Sequence, residues 1–270
     1  MRIVKYNIHS QALRKVAEFI WHIKSDVNIT RGRLLPVVNT DLLINISTPI
    51  FYTFVNGKKI KAPPLHIRNI MLQPQFIDQE AVCDVWGVSL YPYGTYALFN
   101  GNMNIYREQI IDLQKSSPLL SAELAENTDG NMKESQVANE IEMVLAENSV
   151  APLPEDNFRA IIQFLSKMLH HRIGEYCTKN NMSIKKLERL FKKYTGLTPK
   201  QIQWISRFQK SRNDMLYPDK APAIADIAYL HEYTDQMHLT KTFREYAGVS
   251  PFQFLYNHNS IKEKLNRKDR

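Results

Sequence analysis

Residues 235–254 read DQMHLTKTFREYAGVSPFQF, and the side chains in this stretch divide by chemistry. Leu239, Phe243 and Tyr246 are apolar, whereas Gln236, Met237, His238, Thr240, Lys241 and Arg244 carry hydrogen-bonding groups or a flexible thioether. At 3.6 residues per turn the first three share a narrow arc, and Met237, Lys241 and Arg244 lie nearly opposite it. Lys and Arg donate to guanine O6 and N7, and Gln pairs with adenine N6 and N7, so this outer face has the chemistry that reads base edges. By itself a basic helix face is ordinary solvated surface. Its meaning depends on what positions it.

A second copy of the same design lies upstream. LERLFKKYTGLTPKQI (187–202) aligns with LTKTFREYAGVSPFQF (239–254), and Leu, Phe, Tyr, Gly, Pro and Gln coincide. Leu187, Leu190, Phe191 and Tyr194 form its apolar arc, with Lys185, Arg189 and Lys192 opposite. Gly196 and Gly248 stand where a left-handed cap ends each helix, and Pro199 and Pro251 where the next one begins. Each copy follows a shorter helical stretch and a turn. In the first, IGEYCTKNN leads to the N-cap Ser183, with Asn181 suited to positive φ; in the second, IADIAYLHE leads to Thr234 and Asp235, one residue later. Short helix, tight turn and a helix with an open basic face make a helix-turn-helix unit, whose second helix enters the major groove. Between the copies, PKQIQWISRFQKSRNDML (199–216) predicts one helix, with Ile202, Ile205, Phe208 and Leu216 facing inward. Its length of about 27 Å suits two reading heads about one DNA turn, roughly 34 Å, apart.

Charge follows the same division. Of 35 Lys and Arg and 27 Asp and Glu in the 270 residues, positions 1–155 hold 14 and 16, and positions 156–270 hold 21 and 11. The net charges are therefore −2 and +10, and the basic part calls for a polyanion, nucleic acid rather than a membrane surface. No run of 18 apolar residues and no signal-like N-terminus is present, so a soluble cytoplasmic chain is expected. The two cysteines, Cys83 and Cys177, support neither a disulfide framework nor a zinc module; they read as buried small hydrophobes.

Ahead of the repeat the pattern is mixed. QALRKVAEFIWHI (11–23) predicts a helix, and LLPVVNTDLLINIS (34–47), IFYTFVNGKKIKA (50–62), HIRNIMLQP (66–74) and AVCDVWGVSLYP (81–92) predict strands. Asn56-Gly57 signals a type I′ hairpin. YGTYALFN predicts a helix, 114–135 a loop and 134–148 a helix, and the prolines of APLPED (151–156) mark a boundary. A helix follows, with Phe158, Ile161, Ile162, Leu165 and Leu169 on its apolar side. The expected fold is α+β: residues 1–150 form an antiparallel β-rich, small barrel-like domain for regulation or dimerisation, with a trailing helix. Residues 151–270 are an all-α domain with units at 173–196 and 224–248 joined by 199–216.

The residues of both units, in order, resemble the AraC/XylS family of bacterial transcription regulators, through LERLFKKYTGLTP and TDQMHLTKTFREYAGVSP over about 157–257. LLPVVNTDLLINIS and VWGVSLYPYG are similar to a β-rich N-terminal domain of some members. The resemblance implies base-facing roles for Lys185, Lys186, Glu188 and Arg189 in the first unit and Gln236, Met237, His238 and Lys241 in the second, with Thr240 at a phosphate. Glu188 is equally suited to pairing with Lys185 or Lys192 on its own helix. The implied partners are double-stranded DNA and RNA polymerase; a small-molecule effector and a second copy of the chain are options that family members use. Glu232 departs from the family, which usually has a turn Gly there.

Two other classes compete. A small-molecule-binding or catalytic N-terminal domain, with the helical part as an interaction module, would use Phe51, Tyr52, Phe54, Trp86, Tyr91, Tyr93, Tyr96 and His66. A metalloenzyme would use His231, Glu232, Asp235 and His238, whose spacing matches no compact ligand motif. No nucleophile elbow or phosphate-binding glycine loop occurs, so no catalytic residue, metal or cofactor is assigned.

Overall fold

The computed structural model describes residues 2–26, 29–80, 82–99, 101–128, 132–148, 155–167, 172–216 and 223–257. Its strands are β1 (Arg2–Tyr6), β2 (Ala17–Ser25), β3 (Ile29–Leu34), β4 (Thr40–Asn45), β5 (Ile50–Phe54), β6 (Lys59–Lys61), β7 (Leu65–Arg68), β8 (Gln75–Gln79), β9 (Cys83–Leu90) and β10 (Ile110–Asp112). They form two antiparallel sheets, ordered β1-β2-β9-β4-β7-β10 and β3-β8-β5-β6. Leu43, Ile50, Tyr52, Ala62, Cys83 and Val85 fill a small core of their own. The N-terminal part is thus β-rich and antiparallel, as its alternating apolar runs require.

The structure corrects several local expectations. Residues 17–25 are a strand, not a helix, because AEFIWHIKS alternates buried and open positions and pairs with both β1 and β9. The same residues satisfy a helical spacing, and pairing on both sides decides the matter. The turn at Asn56-Gly57 is not type I′. Gly57 has φ 82° whereas Asn56 is absent from the positive-φ residues, and Gly57 N–H donates to Phe54 O while Phe54 N–H donates to Lys58 O. That is a three-residue loop with glycine in the bulge position. The expected loop at 114–135 contains two helices, and β1, β3, β8 and β10 are strands that the sequence pattern did not single out.

The helices are α1 (Gly94–Phe99), α2 (Leu113–Ser116), α3 (Pro118–Glu126), α4 (Glu134–Asn148), α5 (Glu155–Lys167), α6 (Ile173–Lys179), α7 (Ile184–Thr195), α8 (Pro199–Leu216), α9 (Ile224–Leu230) and α10 (Gln236–Ala247). On α5 the buried residues are Ile161 and Phe164, while Ile162 is exposed and Leu169 lies outside the described residues. The prolines of 151–154 also lie outside them. α4 is held to the start of the chain by Glu142, a buried carboxylate that accepts the backbone N–H groups of His9 (2.7 Å) and Ser10.

One apolar core runs from the six-stranded sheet through α1, α4 and α5 into α6–α10. Tyr96 of α1 meets Tyr194 of α7 edge to face at 4.5 Å, and Tyr93 meets Phe158 of α5 at 5.4 Å. The two C-terminal caps also touch the β-rich part. A Cβ on Gly196 would lie 2.9 Å from the Met103 carbonyl oxygen, and one on Gly248 would lie 3.8 Å from Pro74 Cγ.

This difference is measurable. Both glycines have left-handed backbone, with φ 75° and 70°, so alanine at either site costs about 1 to 2 kcal/mol. Gly196→Ala must in addition displace the Met103 carbonyl, whereas Gly248→Ala meets ordinary contact. Thermal unfolding should show the larger loss for Gly196→Ala; equal losses, or the reverse order, would contradict the docking of residues 102–106 on α7.

Candidate nucleic-acid interface

The second helix of the first unit, α7, is built by its caps. Ser183 Oγ accepts the Lys186 N–H at 3.2 Å, and Gly196 closes the C-terminus with its N–H on Lys192 O at 3.0 Å. Leu187, Leu190, Phe191 and Tyr194 are buried, and Phe164 of α5 packs edge-on against both Phe191 (5.0 Å) and Tyr176 of α6 (5.1 Å). Tyr194 accepts a hydrogen bond from Asn157 Nδ2 at 3.2 Å, and Tyr176 donates to Ala160 O at 2.7 Å. Two phenols thus fix the register of α5 on the unit.

The second unit repeats this. Asp235 Oδ1 accepts the His238 N–H at 2.7 Å, and Gly248 N–H donates to Arg244 O at 3.1 Å. Phe208 of α8 packs against Phe243 (5.1 Å) and Tyr246 (5.3 Å) of α10. On α8 itself Ile202, Ile205, Phe208 and Met215 are buried; Met215 takes the inward place expected for Leu216.

The turns match as well. Met182 N–H donates to Cys177 O and Tyr233 N–H to Ala228 O, both at 2.9 Å, and the residues just before, Asn181 and Glu232, have φ 47° and 55°. Glu232 therefore takes the left-handed conformation that glycine favours, and the second turn keeps the shape of the first. The extra residue, Thr234, falls after that position. A further device escaped sequence reasoning. Thr198 and Gln201, and likewise Ser250 and Gln253, form reciprocal caps: the Gln Oε1 accepts from the Thr198 (2.9 Å) and Ser250 (3.1 Å) N–H groups, and each hydroxyl accepts the Gln N–H in turn. The signal was the Ser/Thr-x-x-Gln spacing of a capping box.

On α7, Lys185, Lys186 and Arg189 are exposed and Glu188 is half-buried; among the described residues Glu188 forms no ion pair with Lys185 or Lys192. On α10, Gln236, Met237 and Lys241 are exposed, and His238 and Thr240 are half-buried. His238 also serves the turn, with Nδ1 3.3 Å from Thr234 Oγ1 and its ring edge-on to Tyr233 at 5.2 Å. Each set thus sits on the outer side of its helix.

Further groups border these faces. Trp204 and Arg207 of α8 line a cleft of about 140 Å³ with His238 and Lys241, and Lys200 Nζ lies 5.0 Å from the Trp204 ring. Their i, i+4, i+7 spacing on one helix was the available clue. Asn102 and Asn104 line another cleft with the α7 cations; nothing local in the sequence points to them.

The competing sites take other roles. His231 Nε2 lies 2.8 Å from Asp214 Oδ2, tying the end of α9 to α8, and among the described residues no group of three or more His, Cys, Asp or Glu side chains is placed to hold a metal ion. Tyr52 and His66 are buried and bonded to each other at 3.0 Å, and Pro63 O takes the other His66 nitrogen at 2.7 Å. Burial lowers the His66 pKa to about 4, the bond to Pro63 opposing it, so this ring is neutral core. Trp86 stacks on His22 at 4.1 Å. Tyr91 and Tyr93 instead line an open cleft of about 580 Å³ against Phe158, Ile162 and Leu165 of α5.

Residues 176–256 match a family model described as a helix-turn-helix domain. The Msm operon regulatory protein of Streptococcus mutans is 26% identical over 119 residues, 41% of this chain, and the match spans about two fifths (42%) of that relative's length. Among solved structures, ToxT from Vibrio cholerae superposes with a TM-score of 0.47 at 12% identity, over 87% of this chain and 98% of that one. The AraC-like transcriptional activator CuxR gives a TM-score of 0.27 at 12% identity, over 79% and 77%.

Glu232 offers a test of the turn. A non-glycine residue at φ 55° is strained by about 1 to 2 kcal/mol, part of which glycine returns through its freer unfolded chain. Its ion pair with Arg207 is long, 3.8 Å, and Glu232 is exposed; losing it costs little. Glu232→Gly should therefore gain about 0.5 to 1 kcal/mol in chemical denaturation. A loss of stability would mean that the left-handed turn is not formed.

Proposed function

We propose that the chain is a regulator of the AraC/XylS type: residues 176–256 match a helix-turn-helix domain, and both of its units carry the residues by which the sequence resembles that family. It is a sequence-specific DNA-binding transcriptional regulator, and α7 and α10 enter successive major-groove segments on one face of the duplex. The observation that carries the reading is the duplicated unit: two helices with matching caps, buried aromatic arcs and exposed basic faces, joined by the single helix α8. On this reading Lys185, Lys186, Glu188 and Arg189 face bases from α7, Gln236, Met237, His238 and Lys241 from α10, and Thr240 meets a phosphate.

Residues 1–150 then form the regulatory part and 151–270 the DNA-binding part of a cytoplasmic regulator that addresses RNA polymerase. The 580 Å³ cleft between Tyr91, Tyr93 and α5 is the place where a small-molecule effector would touch both parts. Homodimerisation, where it occurs, belongs to the N-terminal part.

Binding should carry the mark of counterion release. With about six to eight phosphates neutralised, log K falls against log salt with a slope of roughly −5 to −7. Lys241 is exposed on α10, so Lys241→Ala should leave folding unchanged. If Lys241 reads guanine, the preferred site loses about 1 to 3 kcal/mol and discrimination narrows at that base pair. Titration of the folded variant on preferred and altered duplexes decides this, and equal full-strength binding on every sequence would remove α10 from the interface.

A further inference from the structure

The β-rich part comes up beside α7 on its outer side. Residues Met103–Tyr106 form a 3-10 turn, and a cleft of about 460 Å³ separates Asn102 and Asn104 from Lys185, Glu188, Arg189, Lys192 and Lys193. One wall thus carries four cations and one carboxylate, and the other carries two amides.

The amide wall is held in place from behind. Met103, between the two asparagines, is 1% exposed and its carbonyl abuts Gly196, whereas Asn102 and Asn104 are exposed. Asn102 Oδ1 accepts the Asn104 N–H at 3.2 Å, and Asn69 Nδ2 donates to Tyr106 O at 2.8 Å. On the opposite wall the Lys193 ammonium lies 5.2 Å from the Tyr194 ring centre and 5.9 Å from that of Tyr96, which fixes a cation near the seam.

A helix lying in a major groove about 12 Å wide has a phosphodiester strand on each side. With α7 in that groove, this cleft opens toward the side on which one of those strands runs. We propose that a backbone strand of the bound duplex runs through the cleft between Asn102–Asn104 and α7, so that the N-terminal part supplies phosphate contacts next to the first reading helix. The side-chain amides donate hydrogen bonds to phosphate oxygens, and Lys192 and Lys193 neutralise their charge. The chemistry of the wall speaks against electrostatic imitation of DNA. A segment that occluded α7 by imitating DNA would present carboxylates to the cations, and Asn102 and Asn104 present none. This inference rests on α7 being a reading helix, and it assigns the β-rich part a direct share of DNA binding.

The test uses the full chain and a duplex selected from random DNA by the unaltered protein. Asn104→Lys should tighten binding and steepen the salt slope by about one unit, as an added phosphate contact does. Asn104→Asp should weaken binding to every sequence by about threefold to tenfold, without changing base preference. Asn102→Asp, which keeps the acceptor for the Asn104 N–H, should act likewise. Circular dichroism and melting of each variant establish that it is folded. Unchanged affinity and slope in folded Lys and Asp variants would overturn the inference, and so would tighter binding by Asn104→Asp. If the unaltered chain binds no duplex, or Lys185→Ala and Arg189→Ala leave its binding intact, the reading of α7 itself falls; inert Asn104 variants beside a sensitive Arg189→Ala remove this inference alone.

Discussion

The contact on which the arrangement depends is the edge-to-face meeting of Tyr96 and Tyr194. Tyr194 is fully buried, yet it belongs to the helix whose other face is basic and open. Its inner arc therefore packs against two different parts of the protein at once. Phe164 and Tyr176 cover it from within the helical region, and Tyr96 and Met103 cover it from the β-rich region. An aromatic pair of this geometry contributes about 0.5 to 1.5 kcal/mol beyond the area it buries. Its larger effect is orientation, because a tilted pair and a carbonyl packed against a glycine tolerate little sliding. Tyrosines suit such a seam: Tyr93 donates to Lys15 O and Tyr194 accepts from Asn157, so each buried hydroxyl also fixes a register.

The two helix-turn-helix units share one set of local devices and differ in one residue of turn length. N-cap oxygen, left-handed C-cap glycine and Ser/Thr-x-x-Gln box occur in both, at equivalent places. These devices satisfy backbone groups that a helix end leaves unpaired, so they fix where each helix starts and stops independently of what surrounds it. The extra Thr234 is absorbed after the left-handed Glu232 and before the Asp235 cap. Helix boundaries therefore survive the insertion, and the basic face of α10 keeps its phase against Phe208.

How much was legible follows from the same physics. α6–α10 could be read because each is specified locally: 3.6-residue apolar spacing, Ser183 and Asp235 at the starts, Gly196 and Gly248 at the ends. β2 could not, since AEFIWHI satisfies a helical as well as an alternating pattern until β1 and β9 are known to flank it. Asn56-Gly57 announced a turn but not its type, because the loop borrowed Val55 as a third residue. The exposed basic residues of α7 and α10 were legible for the reason their helices were. Asn102 and Asn104 were not, for they reach α7 only through packing between segments some ninety residues apart.

That packing is unequal between the units, and the inequality has a mechanical consequence. The first unit meets the β-rich part through Tyr194, Gly196 and α5, which itself lies on Tyr93. At the second unit's cap, the approach of the β-rich part is the looser contact of Gly248 with Pro74. A displacement at the Tyr93–Phe158 contact bears first on α5, and Asn157 and Phe164 carry it to Tyr194 and Phe191 of α7. From α8 the packing continues to α10, where Phe208 packs on Phe243 and Tyr246. α7 is therefore the helix packed most closely on the β-rich part, and α8, which packs on α10, joins it to the second unit.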